Sequence, residues 1–286
     1  MVPTWIYWIG GIYIGVCVIF WFFQDYFFFR PELLPLTFAY RYDYPFEEVH
    51  FDMPDGGYIN ALHFKVPRAL GIVFYLKGNS RSVKGWGKFA QDFIGKGYEF
   101  FIMDYRGFGK SRGKRSEQRL YADAQAVYQW LKVRYGEAHI VVYGRSLGSG
   151  IAAWIAAHNR PRMLILDCPY YSFRYQVGRF GWWLPLRFLL RYQMPTYRYV
   201  QQMDCPVAIL HGTRDRLIDF YQSEMLQQLR ADLIRLIPIE GAGHNNLPEF
   251  SAYHEHLYEL LVEAARPAQF PLGVHNRGQV SDSEDV

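Results

Sequence analysis

The stretch Gly144-Arg145-Ser146-Leu147-Gly148 constrains this chain more than any other, because of what flanks it. His139 to Tyr143 reads as a short buried strand, and Ser146 to His158 reads as a helix. A serine with glycines two before and two after must then sit on the turn between them. So tight a turn strains the serine backbone, and side chains at the two flanking positions would clash. It also lifts the hydroxyl clear of the sheet, beside a helix N-terminus that favours negative charge. The plainer alternative is a serine that only caps the helix.

The rest of the chain repeats the same strand-to-helix rhythm. Glu47–Met53 and Tyr58–Val66 flank Pro54-Asp55-Gly56-Gly57, a hairpin signal. Strands at 71–76, 99–103, 139–143, 163–167, 206–210 and 233–239 alternate with helices near 86–95, 117–134, 146–158, 220–229 and 250–265. That alternation predicts an α/β fold whose mostly parallel sheet is covered by helices on both faces. No internal repeat is visible. A chain of 286 residues suits one main domain, expected over residues 31–266, plus appendages.

Set between strand and helix, the Gly-x-Ser-x-Gly turn resembles the nucleophile elbow of the alpha/beta-hydrolase superfamily. Phe101–Ser111 and Leu164–Tyr170 resemble signatures of its Bem46-like, serine-aminopeptidase-like (S33) branch, and the matches span about residues 46 to 265. The resemblance implies a serine hydrolase whose serine, acid and histidine follow one another along the chain. Asp215 comes after the apolar strand at 206–210, and His244 after the strand at 233–239. Both fall where open α/β sheets place their sites, beyond strand carboxyl ends. In this scheme His244 takes the Ser146 proton while Asp215 orients the imidazole. Asp219 is a rival acid, but it lies later and starts the next helix. Asp104 and Arg106 are expected to pair and lock their loop.

The resemblance also implies an oxyanion hole of two backbone N–H groups, from Leu147 and Asn79. Relatives carry His-Gly-Asn where this chain has Lys77-Gly78-Asn79. A backbone donor survives that change; the packing around the loop is what Lys77 alters. A lysine snorkelling out of a strand end is the bland reading.

Trp5 to Phe23 contains no charge and would span roughly 28 Å as a helix, close to the thickness of a bilayer core. Trp5, Tyr7 and Trp8 at one end, and Trp21 and Tyr26 at the other, fit interfacial belts. No basic segment precedes the run and no small-residue cleavage site follows it, against a signal peptide. A buried helix packed through Gly10, Gly11 and Gly15 is the alternative. Residues 1–30 are therefore expected to form a single-pass membrane anchor. Arg30 and Arg41 follow the span, which by the positive-inside rule places the hydrolase domain in the cytoplasm.

Alpha/beta hydrolases commonly insert a cap where this chain has about residues 170–203. The segment is rich in aromatics and holds Arg174, Arg179, Arg187, Arg191 and Arg198 without an acidic residue. It suits a membrane interface, an acyl-binding tunnel, or a cap that simply buries its aromatics on the body. These five charges exceed the chain's net +4, so the basicity is local and nucleic acid is not an expected partner. Residues 267–286, with Ser281-Asp282-Ser283-Glu284-Asp285, read as a disordered acidic tail. Cys168 and Cys205 fall at opposite ends of strands that should run parallel, which excludes a disulfide between them. No zinc spacing, P-loop or dinucleotide fingerprint is present, so neither metal nor cofactor is expected.

The sequence thus reads as a membrane-anchored serine hydrolase working through an acyl-enzyme, on acyl esters or thioesters. Small peptides or aminoacyl amides are the second substrate class. A non-catalytic membrane-binding or adaptor protein is the rival from another class.

Overall fold

A computed structural model describes residues 3–266; the acidic tail expected over 267–286 lies outside the described residues. The chain opens with α1 (Thr4–Phe28), followed by the hairpin of β1 (Phe46–Asp52) and β2 (Tyr58–Phe64). Next come β3 (Gly71–Leu76), the short helices α2 (Val83–Trp86) and α3 (Gln91–Ile94), and β4 (Tyr98–Met103). The alternation continues through α4 (Glu117–Tyr135), β5 (Ile140–Arg145), α5 (Leu147–His158) and β6 (Met163–Asp167). Three short helices fill the cap region: α6 (Phe173–Gly178), α7 (Leu186–Leu189) and α8 (Thr196–Val200). The chain then closes with β7 (Val207–Gly212), α9 (Tyr221–Leu229), β8 (Ile234–Ile239) and α10 (Ser251–Ala265).

The eight strands lie in the order β1-β2-β4-β3-β5-β6-β7-β8. The first hairpin is antiparallel, as is β2 on β4, and every other pairing is parallel. The central parallel strands are apolar without alternation because both their faces are covered. Ile72, Phe74 and Leu76 of β3 join one core layer with Leu120 of α4, Ile151 of α5 and Leu226 of α9. Val73 and Tyr75 face the other layer, with Phe93 of α3 and Leu257 and Leu261 of α10.

Local chemistry sets the element ends. Ser116 caps α4 by accepting the Arg119 N–H at 3.2 Å, and Gly136 ends it at a φ of 71°. The single helix expected near 86–95 is instead α2, a 3₁₀ turn at Gly87–Ala90 and α3. Its start moves forward because the Asp104 carboxylate accepts the Val83 N–H at 3.0 Å. It breaks where the Tyr42 ring comes so near Gly87 that an added Cβ would lie 2.6 Å from it.

Among the described residues one helix, α1, is long and apolar enough to cross a membrane. Its buried residue is Gln24, whose Nε2 donates to Leu189 O at 3.0 Å and whose Oε1 accepts the Arg191 N–H at 2.8 Å. Tyr13 Oη donates to Trp183 O, and Asp25 pairs with Arg191 at 2.8 Å. These bonds tie the middle and the end of α1 to the cap segment.

Candidate active site

The turn from β5 to α5 is as tight as its glycines require. A Cβ on Gly144 would lie 2.4 Å from Ala152 Cβ, and one on Gly148 would lie 2.0 Å from Leu76 O. Ser146 sits between them at φ 50° and ψ −118°, a strained conformation for a residue with a side chain. Functional sites are where such strain persists, because the surrounding structure holds it in place.

The three residues singled out from sequence meet at this point. His244 Nε2 lies 2.9 Å from Ser146 Oγ, and His244 Nδ1 lies 2.7 Å from Asp215 Oδ2. Asp215 Oδ1 accepts the Leu217 and Ile218 amides at 2.8 and 2.9 Å, so the carboxylate is clamped from behind. Burial alone would raise the Asp215 carboxyl. Hydrogen bonds from His211 and His244, the His244 charge and the Ile218 amide outweigh it and hold the group well below the usual carboxylate range. The rival Asp219 turns away and pairs with Arg179 of the cap segment at 2.5 Å.

His211, buried at the end of β7, received no role from the sequence. Its Nε2 lies 2.9 Å from Ile218 O and 3.2 Å from Asp215 Oδ2, and its Nδ1 lies 2.6 Å from Ser223 Oγ. Ile218 O can only accept, so Nε2 carries the hydrogen and shares it with Asp215. The signal was a histidine inside an otherwise apolar strand.

Cys168 Sγ lies within 4.8 Å of ligand atoms of Asp215 and His244. Those atoms already bind one another, and burial pushes the thiol well above its ordinary range, so the trio is a poor metal cradle. Cys168 and Cys205 are both free thiols.

The loop after β3 runs alongside Ser146: a Cβ on Gly78 would lie 3.8 Å from Ser146 Cβ. The backbone N–H groups of Leu147 and Asn79 donate to no protein acceptor among the described residues. Several bonds hold the loop in place. Arg30 N–H donates to Asn79 O at 2.9 Å, Asn79 Nδ2 to Phe28 O at 2.8 Å, and Trp86 Nε1 to Ser80 O at 2.8 Å. The residues just after α1 therefore brace this loop.

Lys77 does not snorkel. It is fully buried, with Nζ 3.6 Å from Asp104 Oδ1 and 3.8 Å from the centre of the Phe108 ring. Burial pushes the Lys77 ammonium down and the Asp104 carboxyl up, and each charge opposes the shift of the other. Asp104 is thus taken by Lys77 and the Val83 amide, which corrects its expected pairing with Arg106. Arg106 instead forks onto Asp123 and onto Asp55 of the hairpin turn.

A cleft of about 600 Å³ opens over Ser146 and His244. Its apolar wall takes Phe173, Val177 and Phe180 from the cap segment, and Phe27 and Phe28 from α1. Trp182, Trp183 and Phe188 of the cap segment are not in this wall; Trp182 is 82% exposed and Phe188 75%.

The family model described as serine aminopeptidase, S33, matches residues 67–199, which include Ser146 and stop short of Asp215 and His244. The uncharacterized protein Rv2307c of Mycobacterium tuberculosis is 30% identical over 239 residues, 81% of this chain and 84% of the relative. Alpha/beta hydrolase domain-containing protein 17B of Xenopus tropicalis is 30% identical over 203 residues, 69% of this chain and 68% of the relative. Among solved structures, the Pyrococcus furiosus esterase Pf2001 aligns with a TM-score of 0.66 at 17% identity, covering 83% of this chain and 99% of the esterase. A cold-adapted esterase from an Arctic intertidal metagenomic library aligns with a TM-score of 0.57 at 15% identity, covering 78% of this chain and 98% of that one. At such identities these structures speak for the fold alone. With the elbow, the strand order and relatives matched over most of their length, the chain belongs to the serine-aminopeptidase-like branch of the alpha/beta-hydrolase superfamily.

Proposed function

We propose that this protein is a membrane-anchored serine hydrolase that cleaves acyl esters or thioesters through an acyl-enzyme. The observation that carries the reading is the hydrogen-bonded run from Ser146 to His244 to Asp215 beside two free backbone donors. In this reading His244 Nε2 accepts the proton of Ser146 Oγ as that oxygen bonds to the acyl carbonyl carbon. The carbonyl oxygen takes up negative charge at the Leu147 and Asn79 amides, each able to contribute about 3–4 kcal/mol. His244 then passes the proton to the departing alcohol or thiol as its bond to carbon breaks. Water, deprotonated by the same nitrogen, releases the acid and returns the proton to Ser146. Asp215, kept ionised by its hydrogen bonds, holds Nδ1–H and stabilises the imidazolium. His211 positions Asp215 from behind.

The cleft wall favours esters over aminoacyl amides. A free α-ammonium needs a carboxylate partner, and the wall holds Arg30 and Arg145 but no aspartate or glutamate. The phenylalanines suit an acyl chain. Membrane anchoring rests on α1, whose surface is largely apolar and exposed, with Gln24 its buried residue where it meets the cap segment. Arg30 and Arg41 beyond it favour a cytoplasmic hydrolase domain.

Rapid mixing with p-nitrophenyl hexanoate tests the mechanism. The expected result is a burst of one nitrophenolate per protein followed by slower turnover, with both phases gone in Ser146→Ala. Turnover that survives in Ser146→Ala, or no turnover of any acyl ester by the intact chain, would overturn the reading.

A further inference from the structure

Arg145, next to Ser146, takes no part in the bond-making just described, and its neighbours do not use up its donors. It is 4% exposed and forms part of the cleft wall. Its Nη2 donates to His244 O at 3.3 Å, its Nε stands 3.6 Å from Asp167 Oδ2, and its Nη1 has no hydrogen-bond partner. The rings of Trp86 and Phe89 lie 5.6 and 5.4 Å from its Cζ. A guanidinium carries five N–H donors, and burying them unpaired costs free energy until an acceptor arrives. Asp167 stands along the Nε edge; its Oδ2 also accepts from Tyr143 Oη at 2.8 Å, and its Oδ1 is buried without a hydrogen-bond partner among the described residues. The wall also includes Arg30, which is exposed and has no side-chain partner among the described residues. Two arginines, one buried and one exposed, belong to one cleft wall that holds no carboxylate.

We infer that the substrate is an acyl ester whose alcohol carries a phosphate, with Arg145 and Arg30 holding the phosphate and the phenylalanines holding the acyl chain. Guanidiniums bind phosphate through paired N–H donors, and two of them match three free oxygens better than the two of a carboxylate. The inference rests on the serine-hydrolase reading for the reaction, and on the unpaired guanidinium for the group recognised. Ser146 Oγ bonds to the acyl carbon, the bond from that carbon to the alcohol oxygen breaks, and His244 supplies that oxygen with its proton. The phosphorylated alcohol leaves with its phosphate intact, and water releases the acid.

Binding and turnover separate the two claims. Calorimetry on the full chain in neutral detergent compares hexyl phosphate, hexanoate and hexanol, none of which needs hydrolysis. Hexyl phosphate should bind at least tenfold more tightly than hexanol, with hexanoate between them. Arg30→Gln and Arg145→Lys should each cut that advantage at least threefold, while Arg134→Gln, outside the cleft wall, leaves it unchanged. The ratio of kcat/KM for 1-hexanoylglycerol 3-phosphate to that for 1-hexanoylglycerol should follow the same order. Equal affinity for hexyl phosphate and hexanol overturns the inference, as does tighter binding of hexanoate. Equal losses on both esters in Arg145→Lys would reduce Arg145 to a structural partner of Asp167 and overturn its role here. Tight hexyl phosphate binding without turnover of either ester keeps the anion site and sinks the hydrolase reading. Equal turnover of both esters does the reverse.

Discussion

The sheet with its elbow and the shell formed by α1 and the cap segment are stabilised in different ways. In the sheet, the central strands are buried on both faces, and Asp215, His211 and Lys77 are held by several partners each. In the shell, short helices and exposed aromatics are held to α1 by a few polar bonds through Tyr13, Gln24 and Asp25. The difference separates two demands on one cleft. In the proposed reaction, proton transfer needs atoms fixed to within a few tenths of an ångström, whereas admitting the proposed acyl chain needs a wall able to move. Low-stability segments are where lids are drawn from.

The largest expected effect falls inside the rigid part. Asp215→Asn should lower kcat about 10⁴-fold in a chain that still folds, because the amide selects the wrong imidazole tautomer. Asp219→Asn, which only frees Arg179, should change kcat less than twofold. The reverse order, measured with one ester, would misplace the acid.

Lys77→Met tests how strongly the body depends on a buried pair. Leaving Asp104 buried without its counter-charge should cost about 3–5 kcal/mol in denaturant unfolding. The sign with pH follows from the raised folded carboxyl. The unfolded state gives up its proton near ~4 while the folded state still keeps it, so stability falls as pH rises through that window. Without Lys77 this fall should be steeper than in the parent chain. A variant whose stability is flat between about pH 4 and 7 would show that Asp104 has found another partner.

Where shell and body meet, the effect should be smaller. Asn79→Ala keeps the backbone donor but removes the side-chain bond to Phe28 O. Kcat should fall up to about tenfold, the worth of one hydrogen bond, with little change in unfolding. Unchanged kcat would mean that the end of α1 does not steady the loop.

The smallest effect belongs to the exposed rings. Replacing Trp182 and Trp183 together with alanine should leave hydrolysis in detergent within about twofold. On lipid vesicles it should weaken turnover of acetyl and decanoyl esters alike, since neither ring lines the cleft. A loss confined to the decanoyl ester would move both rings into the acyl path.

The same contrast explains what could be read from the chain in advance. The parallel strands and the helices around them are written in local periodicity; the order Ser146, Asp215, His244 is what the resemblance implies, applied to residues that follow strand ends. Partners far apart in sequence leave no such trace. Gln24 and Leu189, or Phe28 and Asn79, meet only after the sheet has brought the cap and the loop to one side of it. Asp104 looked like the partner of Arg106 because they are two residues apart. The buried ammonium of Lys77, supplied by the neighbouring strand, took the carboxylate instead. The break between α2 and α3 left no trace either, because the approach of Tyr42 to Gly87 is tertiary.

The account stands or falls on whether Ser146 is an activated nucleophile. Incubating the intact protein with a fluorophosphonate and sequencing the labelled peptide by mass spectrometry asks this directly, because only an activated serine attacks such a phosphorus centre. One adduct per chain, on Ser146, abolished in Ser146→Ala and sharply slowed in Asp215→Asn, is the predicted result. A folded protein that stays unlabelled, or labels on another serine, would contradict it.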